Sequence, residues 1–291
     1  MSNDSPFDLG NPAAYAAWRS AKLAGATSSL AELTVEVRDP RELSNTERSA
    51  ILACCARANM AVYASGNYSE DKEIPRLLGQ QLGLATLDAN FLADEDGISA
   101  LSVAGMESGT RREFIPYTDR AINWHTDGYY NPPERTVRAV ILHCVRSAQA
   151  GGENQLLDPE LAYLLLRDEN PEFIRALSRN DVMTIPERLD DSGVARPDQA
   201  GPVFSVDRGF LHMRYTARSK SIVWKDDETT QAALRCLSGI LRRGTPWTCK
   251  GRLSPGMGVI CNNVLHDRTA FSDSAERRRL IYRARFYERI G

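Results

Sequence analysis

Arg278-Arg279-Leu280-Ile281-Tyr282-Arg283-Ala284-Arg285-Phe286 stands near the end of a 291-residue chain and reads as a β-strand. Successive side chains of a strand point to opposite faces. Leu280, Tyr282, Ala284 and Phe286 therefore share one face, and Arg279, Ile281, Arg283 and Arg285 share the other. Burying the apolar face against helices turns the arginines into the interior of a sheet-built domain. A buried guanidinium needs a counter-charge, so this strand predicts both a β core and an anion inside it.

A second stretch, Trp124-His125-Thr126-Asp127-Gly128, puts a His and a carboxylate two residues apart and so on one face of an extended segment. Alone, His-x-Asp is a weak pattern, equally well a surface pair where a strand enters a turn. The apolar run Gly258-Val259-Ile260-Cys261 leads through Asn262-Asn263-Val264-Leu265 to His266, a second His that a barrel could bring to the same mouth. Two His and one carboxylate form the face that leaves half of an octahedral Fe(II) open. The counter-ion for the arginines would then be a dicarboxylate held by the bidentate pairing that Arg favours. Iron together with a dicarboxylate points to 2-oxoglutarate.

Composition agrees with a folded enzyme and excludes several other classes. The chain is 42% hydrophobic and 25% charged, with a net charge of -2, which gives no reason to expect nucleic acid or an anionic membrane as a partner. No run approaches the roughly 18 apolar residues of a membrane span. The polar, acidic start, Met1 to Gly10, does not read as a secretory signal. Cys54, Cys55, Cys144, Cys236, Cys249 and Cys261 lack C-x-x-C spacing, so reduced thiols in a cytoplasm are expected rather than zinc or disulfides.

Residues 1–30 read as an arm with a short helix around Pro12 to Leu23, and 31–291 as a single domain. Ser44-x-x-Glu47 is a capping box that predicts a helix over 45–58; further helices are expected at 73–82, twice between 159 and 178 behind Asp158-Pro159 and Asn170-Pro171, and at 229–241. Strands are expected at 60–63, 99–103, 137–145, 202–206 and 211–215. Asp190 to Gly201, rich in Asp, Pro and Gly, reads as a mobile loop. Gly151-Gly152 marks a tight turn or a close approach of backbone.

Taken together, His125-x-Asp127, Gly-Gly-Glu-Asn at 151–154, His266 and Arg-Arg-Leu-Ile-Tyr-Arg from Arg278 resemble the Fe(II)/2-oxoglutarate-dependent dioxygenases of the taurine dioxygenase (clavaminate-synthase-like) superfamily. Pro202-Val203-Phe204-Ser205-Val206-Asp207, Met213-Arg214-Tyr215 and Asn262-Asn263 look most like the glutarate 2-hydroxylase type. The resemblance runs from about residue 75 to the C-terminus. It implies a double-stranded β-helix, or jelly roll, with flanking helices. It also implies iron on His125, Asp127 and His266, and 2-oxoglutarate on Arg279 (distal carboxylate) and Arg283 (chelating end), with Asn154 helping. With O₂ the implied reaction is oxidative decarboxylation to succinate and CO₂ coupled to hydroxylation of an unactivated C–H bond. Related halogenases lack the carboxylate, so Asp127 argues for hydroxylation.

The expected substrate is a small molecule bearing a carboxylate or amine, with Arg214, Arg285, Tyr129 and Tyr130 as candidate lining residues, although structural salt bridges explain such arginines equally well. His143 and His212 read as core or lining histidines. Trp124 and Trp247 read as core. Pocket loops are expected at 65–72, 104–120 and 187–200, and the arm would suit a homo-oligomer interface. Two rivals stay open: a desaturase or cyclase using the same oxidative chemistry, and a non-catalytic jelly-roll binding protein, which would form no succinate.

Overall fold

The computed structural model describes residues 5–89, 94, 96–105, 111–190 and 193–291; parts of the expected loops 104–120 and 187–200 fall outside them. Its centre is two sheets. The larger has six strands in the order Thr34–Glu36, Met60–Ala64, Met257–Cys261, Ala139–Arg146, Leu280–Phe286, Ser99–Leu101. The smaller has four: Cys249–Gly251, Asn154–Leu157, Leu265–Arg268, Ile122–His125. All neighbours are antiparallel except the edge pair Thr34–Glu36 and Met60–Ala64.

Period-two alternation partitions the core into layers. Leu280, Tyr282, Ala284 and Phe286 pack with Ile51, Cys55, Leu78 and Leu82 of the helices Asn45–Ala58 and Glu73–Gln81 and their flanks. Ile281, with Val140, Cys144, Val259 and Cys261, faces the other way and meets Leu156 and Cys249 of the smaller sheet. The arginines of the same strand therefore point between the sheets, as the alternation predicted. On the far side of the smaller sheet, Trp124, Leu157 and Leu265 are covered by the helices Pro159–Glu169, Pro171–Leu177 and Glu228–Arg243. The molecule is thus mainly β between two helical flanks.

Local signals set the helix starts. Ser44 and Glu47 form the reciprocal capping box, and Asp158 and Asn170 accept from the backbone N–H of Glu160 and Glu172. The arm packs on its own domain: its helix Pro12–Gly25 places Trp18 and neighbouring Phe7 edge-on to Tyr163. Lys22 lies buried, 2.5 Å from both Asp158 and Glu160.

One expectation fails. The stretch read as a mobile loop pairs as strands: Arg188–Asp190 with Gly193–Arg196, and Gln199–Gly201 with Met183–Ile185. Turn-forming residues here punctuate a hairpin rather than abolish strands. Trp124 belongs to the core as expected, and Trp247, partly buried, packs against it. His143 is also core, 2.8 Å from the Tyr63 hydroxyl and stacked on its ring.

Phe286 is 1% exposed and its ring lies where a side chain on Gly79 would stand, which fastens the arginine strand to the helix Glu73–Gln81. Phe286→Ala is expected to destabilise the fold by about 3–5 kcal/mol, seen as a lower urea midpoint; an unchanged midpoint would contradict this packing.

Candidate active site

His125 ends the strand Ile122–His125, and His266 lies on Leu265–Arg268. The two strands pair with His125 directly opposite His266, and the imidazole centroids are 4.2 Å apart. The backbone turns immediately after, bringing Asp127 to the same place. One ligand atom from each of the three residues lies within 4.8 Å of the others, the one such group of His, Cys, Asp or Glu found among the described residues. Each Nδ1 is 2.9 Å from a carbonyl two residues back, Asn123 for His125 and Val264 for His266. To donate there Nδ1 must carry a proton, which leaves Nε2 as the nitrogen to face a metal, the arrangement that metal-binding imidazoles use.

Asp127 is buried. Its Oδ1 accepts from Arg283 Nη1 at 3.0 Å, while Oδ2 is shut from solvent without a hydrogen-bond partner. Burial alone would raise its pKa, but the guanidinium of Arg283, with Arg285 behind it, outweighs this and holds the carboxyl below the usual carboxylate range. Burial and the adjacent His266 push His125 down to about 3. The site thus offers two imidazoles, each with Nδ1 turned to a carbonyl, and a carboxylate with an unused oxygen. That donor set fits a divalent first-row metal.

Asn263 fixes the carboxylate's backbone. Its Oδ1 accepts from Asp127 N–H at 2.7 Å, and its Nδ2 donates to the carbonyls of Asp127 (2.9 Å) and Val137 (2.7 Å). It occupies φ 50°, a left-handed conformation that Asn tolerates better than most residues. Thr126, between the two ligand candidates, faces away and exchanges hydrogen bonds with Tyr215.

Arg279 occupies a second part of the interior. It is 8% exposed, Nη1 has no hydrogen-bond partner, and among the described residues no carboxylate forms an ion pair with it. Burial pushes it down to about 10, still charged at neutral pH. The guanidinium stands 5.1 Å over the Phe271 ring and lines a cavity with Ser147, Gly151, Gly152, Asn154 and Arg252. Gly151 sits at φ 71°, where a Cβ would come 2.3 Å from the carbonyl oxygen of Ala270, so the turn requires glycine.

Of the candidates, His125, Asp127, His266 and Arg283 come together, and Arg279 and Asn154 share the adjoining cavity. Two expected substrate cations are committed elsewhere. Arg214 donates to the carbonyls of Tyr129, Met183, Gln199 and Gly201. Arg285 is ion-paired with the fully buried Asp88 at 2.6 Å and donates to the Tyr130 hydroxyl at 2.8 Å. Tyr129 remains at the rim, where its hydroxyl accepts from Arg218 at 3.0 Å. Asn263, Phe271, Arg252 and Asp88 were not assigned roles from sequence; only the Asn-Asn pair at a strand's end hinted at its turn.

A model of the taurine catabolism dioxygenase TauD, TfdA family matches residues 74–285. The chain belongs to that family. Two curated relatives are named uridine-5'-phosphate dioxygenase. One, from an Amycolatopsis species, is 29% identical over 57% of this chain and 60% of its own length. The other, from a Streptomyces species, is 32% identical over 58% and 62%. The matches thus span about three fifths of those relatives. Among solved structures, asparagine oxygenase with Fe(II), 3-hydroxyasparagine and succinate superposes with TM-score 0.59 at 19% identity over 84% of this chain and 80% of its own. A taurine dioxygenase from Burkholderia xenovorans gives 0.58 at 20% over 90% and 88%. Among the described residues no helix is long and apolar enough to cross a membrane.

Two outcomes are expected. Asn263→Ala should weaken Fe(II) binding about 10–100-fold, the usual effect of removing a ligand's outer support, with the circular dichroism unchanged; equal affinity would contradict the positioning role. Burial pushes His143 and His212 down to about 4 and His125 to about 3. In the unfolded chain these imidazoles take up protons below about pH 6.5, before the folded protein does. Metal-free protein should therefore lose stability as pH falls from about 6.5 toward 3–4. A urea midpoint that stays flat between about pH 7 and 5 would contradict this.

Proposed function

We propose that the protein is an Fe(II)- and 2-oxoglutarate-dependent dioxygenase acting on a small molecule, with its two sheets forming a double-stranded β-helix. In this reading His125 and His266 through Nε2, and Asp127 through Oδ2, hold the iron. The observation that carries it is the buried carboxylate oxygen without a partner beside two imidazoles whose protons are turned away. Arg279 takes the distal carboxylate of 2-oxoglutarate with Asn154 beside it, and Arg283 stands at the chelating end. The iron, when bound, supplies O₂ chemistry: decarboxylation of 2-oxoglutarate to succinate and CO₂, with transfer of oxygen to an unactivated C–H bond.

The chain's own residues arrange this chemistry. Arg283 keeps Asp127 ionised and fixes Oδ1, so that Oδ2 is presented inward. Asn263 holds the backbone of that turn. Arg279, itself buried, orients the cosubstrate by charge from the cavity it shares with Asn154. Hydroxylation is the reading adopted; desaturation or cyclisation would use the same residues and differ in product. The curated relatives make a nucleoside phosphate the first substrate to try, beside the small acids and amines suggested by the sequence.

Purified protein supplied with Fe(II), ascorbate, air and 2-oxoglutarate is expected to form succinate, and His266→Ala to abolish it. Arg279→Ala should raise KM for 2-oxoglutarate about 10–100-fold, the effect of losing a charge-assisted pair worth about 1.5–3 kcal/mol. Turnover by His266→Ala, or an unchanged KM in Arg279→Ala, would contradict the assignment.

A further inference from the structure

Two arginines reach one interior cavity from different sheets. Arg279 stands at the start of the strand Leu280–Phe286 of the larger sheet, and Arg252 follows the strand Cys249–Gly251 of the smaller one, where Gly251 pairs with Asn154. One residue further, the Leu253 carbonyl accepts at 3.5 Å from Cys144 Sγ of the larger sheet. Arg252 is thus held where the two sheets meet, and it lines the same cavity as Arg279, Ser147 and Asn154. Asn154 lies two residues along its strand from Leu156, which pairs with His266. That step is about 7 Å, comparable to the length of a five-carbon diacid.

Among the described residues neither guanidinium forms an ion pair. Arg252 donates through Nη2 to the carbonyl of Ala148, which satisfies an N–H without cancelling the charge. Arg279 keeps a buried Nη1 without a partner. Asp273 accepts at 3.1 Å from the Arg279 backbone N–H rather than from its guanidinium. Ser147 adds a further donor. It is buried, and its Oγ accepts from Arg277 Nη2 at 2.7 Å, so its own hydroxyl proton is left to donate. No acceptor for that proton stands among the described residues. Two cations and a hydroxyl donor at one interior cavity are costly to take out of water unless an anion joins them.

We infer that Arg252 is a second anchor for the distal carboxylate of the cosubstrate, acting beside Arg279 with Ser147 donating. The pair selects 2-oxo acids that carry a second carboxylate, and it holds the dicarboxylate product as well. The inference rests on the dioxygenase reading and deepens it. A carboxylate offers two oxygens with about four lone-pair sites, enough for one guanidinium in paired geometry and a second from the side. Decarboxylation leaves the distal carboxylate untouched, so the grip that orients 2-oxoglutarate passes unchanged to succinate. A monocarboxylic 2-oxo acid such as 2-oxobutyrate presents nothing to either arginine.

The test is calorimetric titration of the full chain, loaded with Mn(II) for 2-oxoglutarate and 2-oxobutyrate, and metal-free for succinate. Arg252→Gln is expected to weaken 2-oxoglutarate and succinate by a similar factor, about 10–100-fold, the range for losing a hydrogen bond between charged groups. The affinity for 2-oxobutyrate should stay unchanged. A residue that only supported the fold would weaken all three acids, so an equal loss for 2-oxobutyrate overturns the role. Unchanged affinity for 2-oxoglutarate in Arg252→Gln overturns it too, while leaving the dioxygenase reading intact. Succinate that fails to bind the unaltered protein overturns product retention. Should the protein bind no Mn(II) while succinate binds and loses its affinity in Arg252→Gln, the dioxygenase reading falls and the paired carboxylate site stands.

Discussion

The ion pair between Arg283 and Asp127 is the constraint on which the rest depends. A carboxylate taken out of water must be compensated or it becomes protonated, and a protonated Asp127 would be a poor metal ligand. The compensation comes from a strand whose other face is wholly apolar. That strand, one place in from the edge of the larger sheet, can bury Arg283 and Arg285 because each has a carboxylate to meet. Asp127 serves Arg283 and Asp88 serves Arg285. Among the described residues Arg279 has no such partner, which is why the proposal gives it a ligand's carboxylate.

The site is held by backbone as much as by charge. Direct pairing of the strands that carry His125 and His266 fixes the imidazole separation, and Asn263 fixes the turn that returns Asp127 to the same point. Carbonyls two residues back set both imidazole protons. Together these contacts bring one candidate ligand atom from each of the three residues within 4.8 Å of the others. Such preorganisation lowers the ordering that binding would otherwise require.

Much of this was legible in the sequence because it depends on period and spacing. Alternation in Leu280–Phe286 gave both the apolar face and the inward arginines, and the capping signals at Ser44, Asp158 and Asn170 placed three helix starts. Side-chain partners far apart in the chain were not legible. Nothing near Arg285 in sequence points to Asp88, and nothing near Arg214 shows that four carbonyls surround it, so both looked available for a substrate. The hairpin after Arg188 was missed for a related reason: Asp, Pro and Gly mark turns, but composition alone does not say whether strands lie between them. Arg196 opposite Arg188 appears only when that register is known.

The central claim is that His125, Asp127 and His266 bind one metal ion in the orientation their hydrogen bonds impose, with the cosubstrate reaching from it to Arg279. A crystal grown anaerobically with Fe(II) and 2-oxoglutarate tests this most directly. The account predicts a single strong anomalous iron peak bonded to both Nε2 atoms and to Asp127 Oδ2, with the distal carboxylate of 2-oxoglutarate against Arg279. Iron bound through Nδ1 or at another cluster, or 2-oxoglutarate with its distal carboxylate away from Arg279, would contradict it.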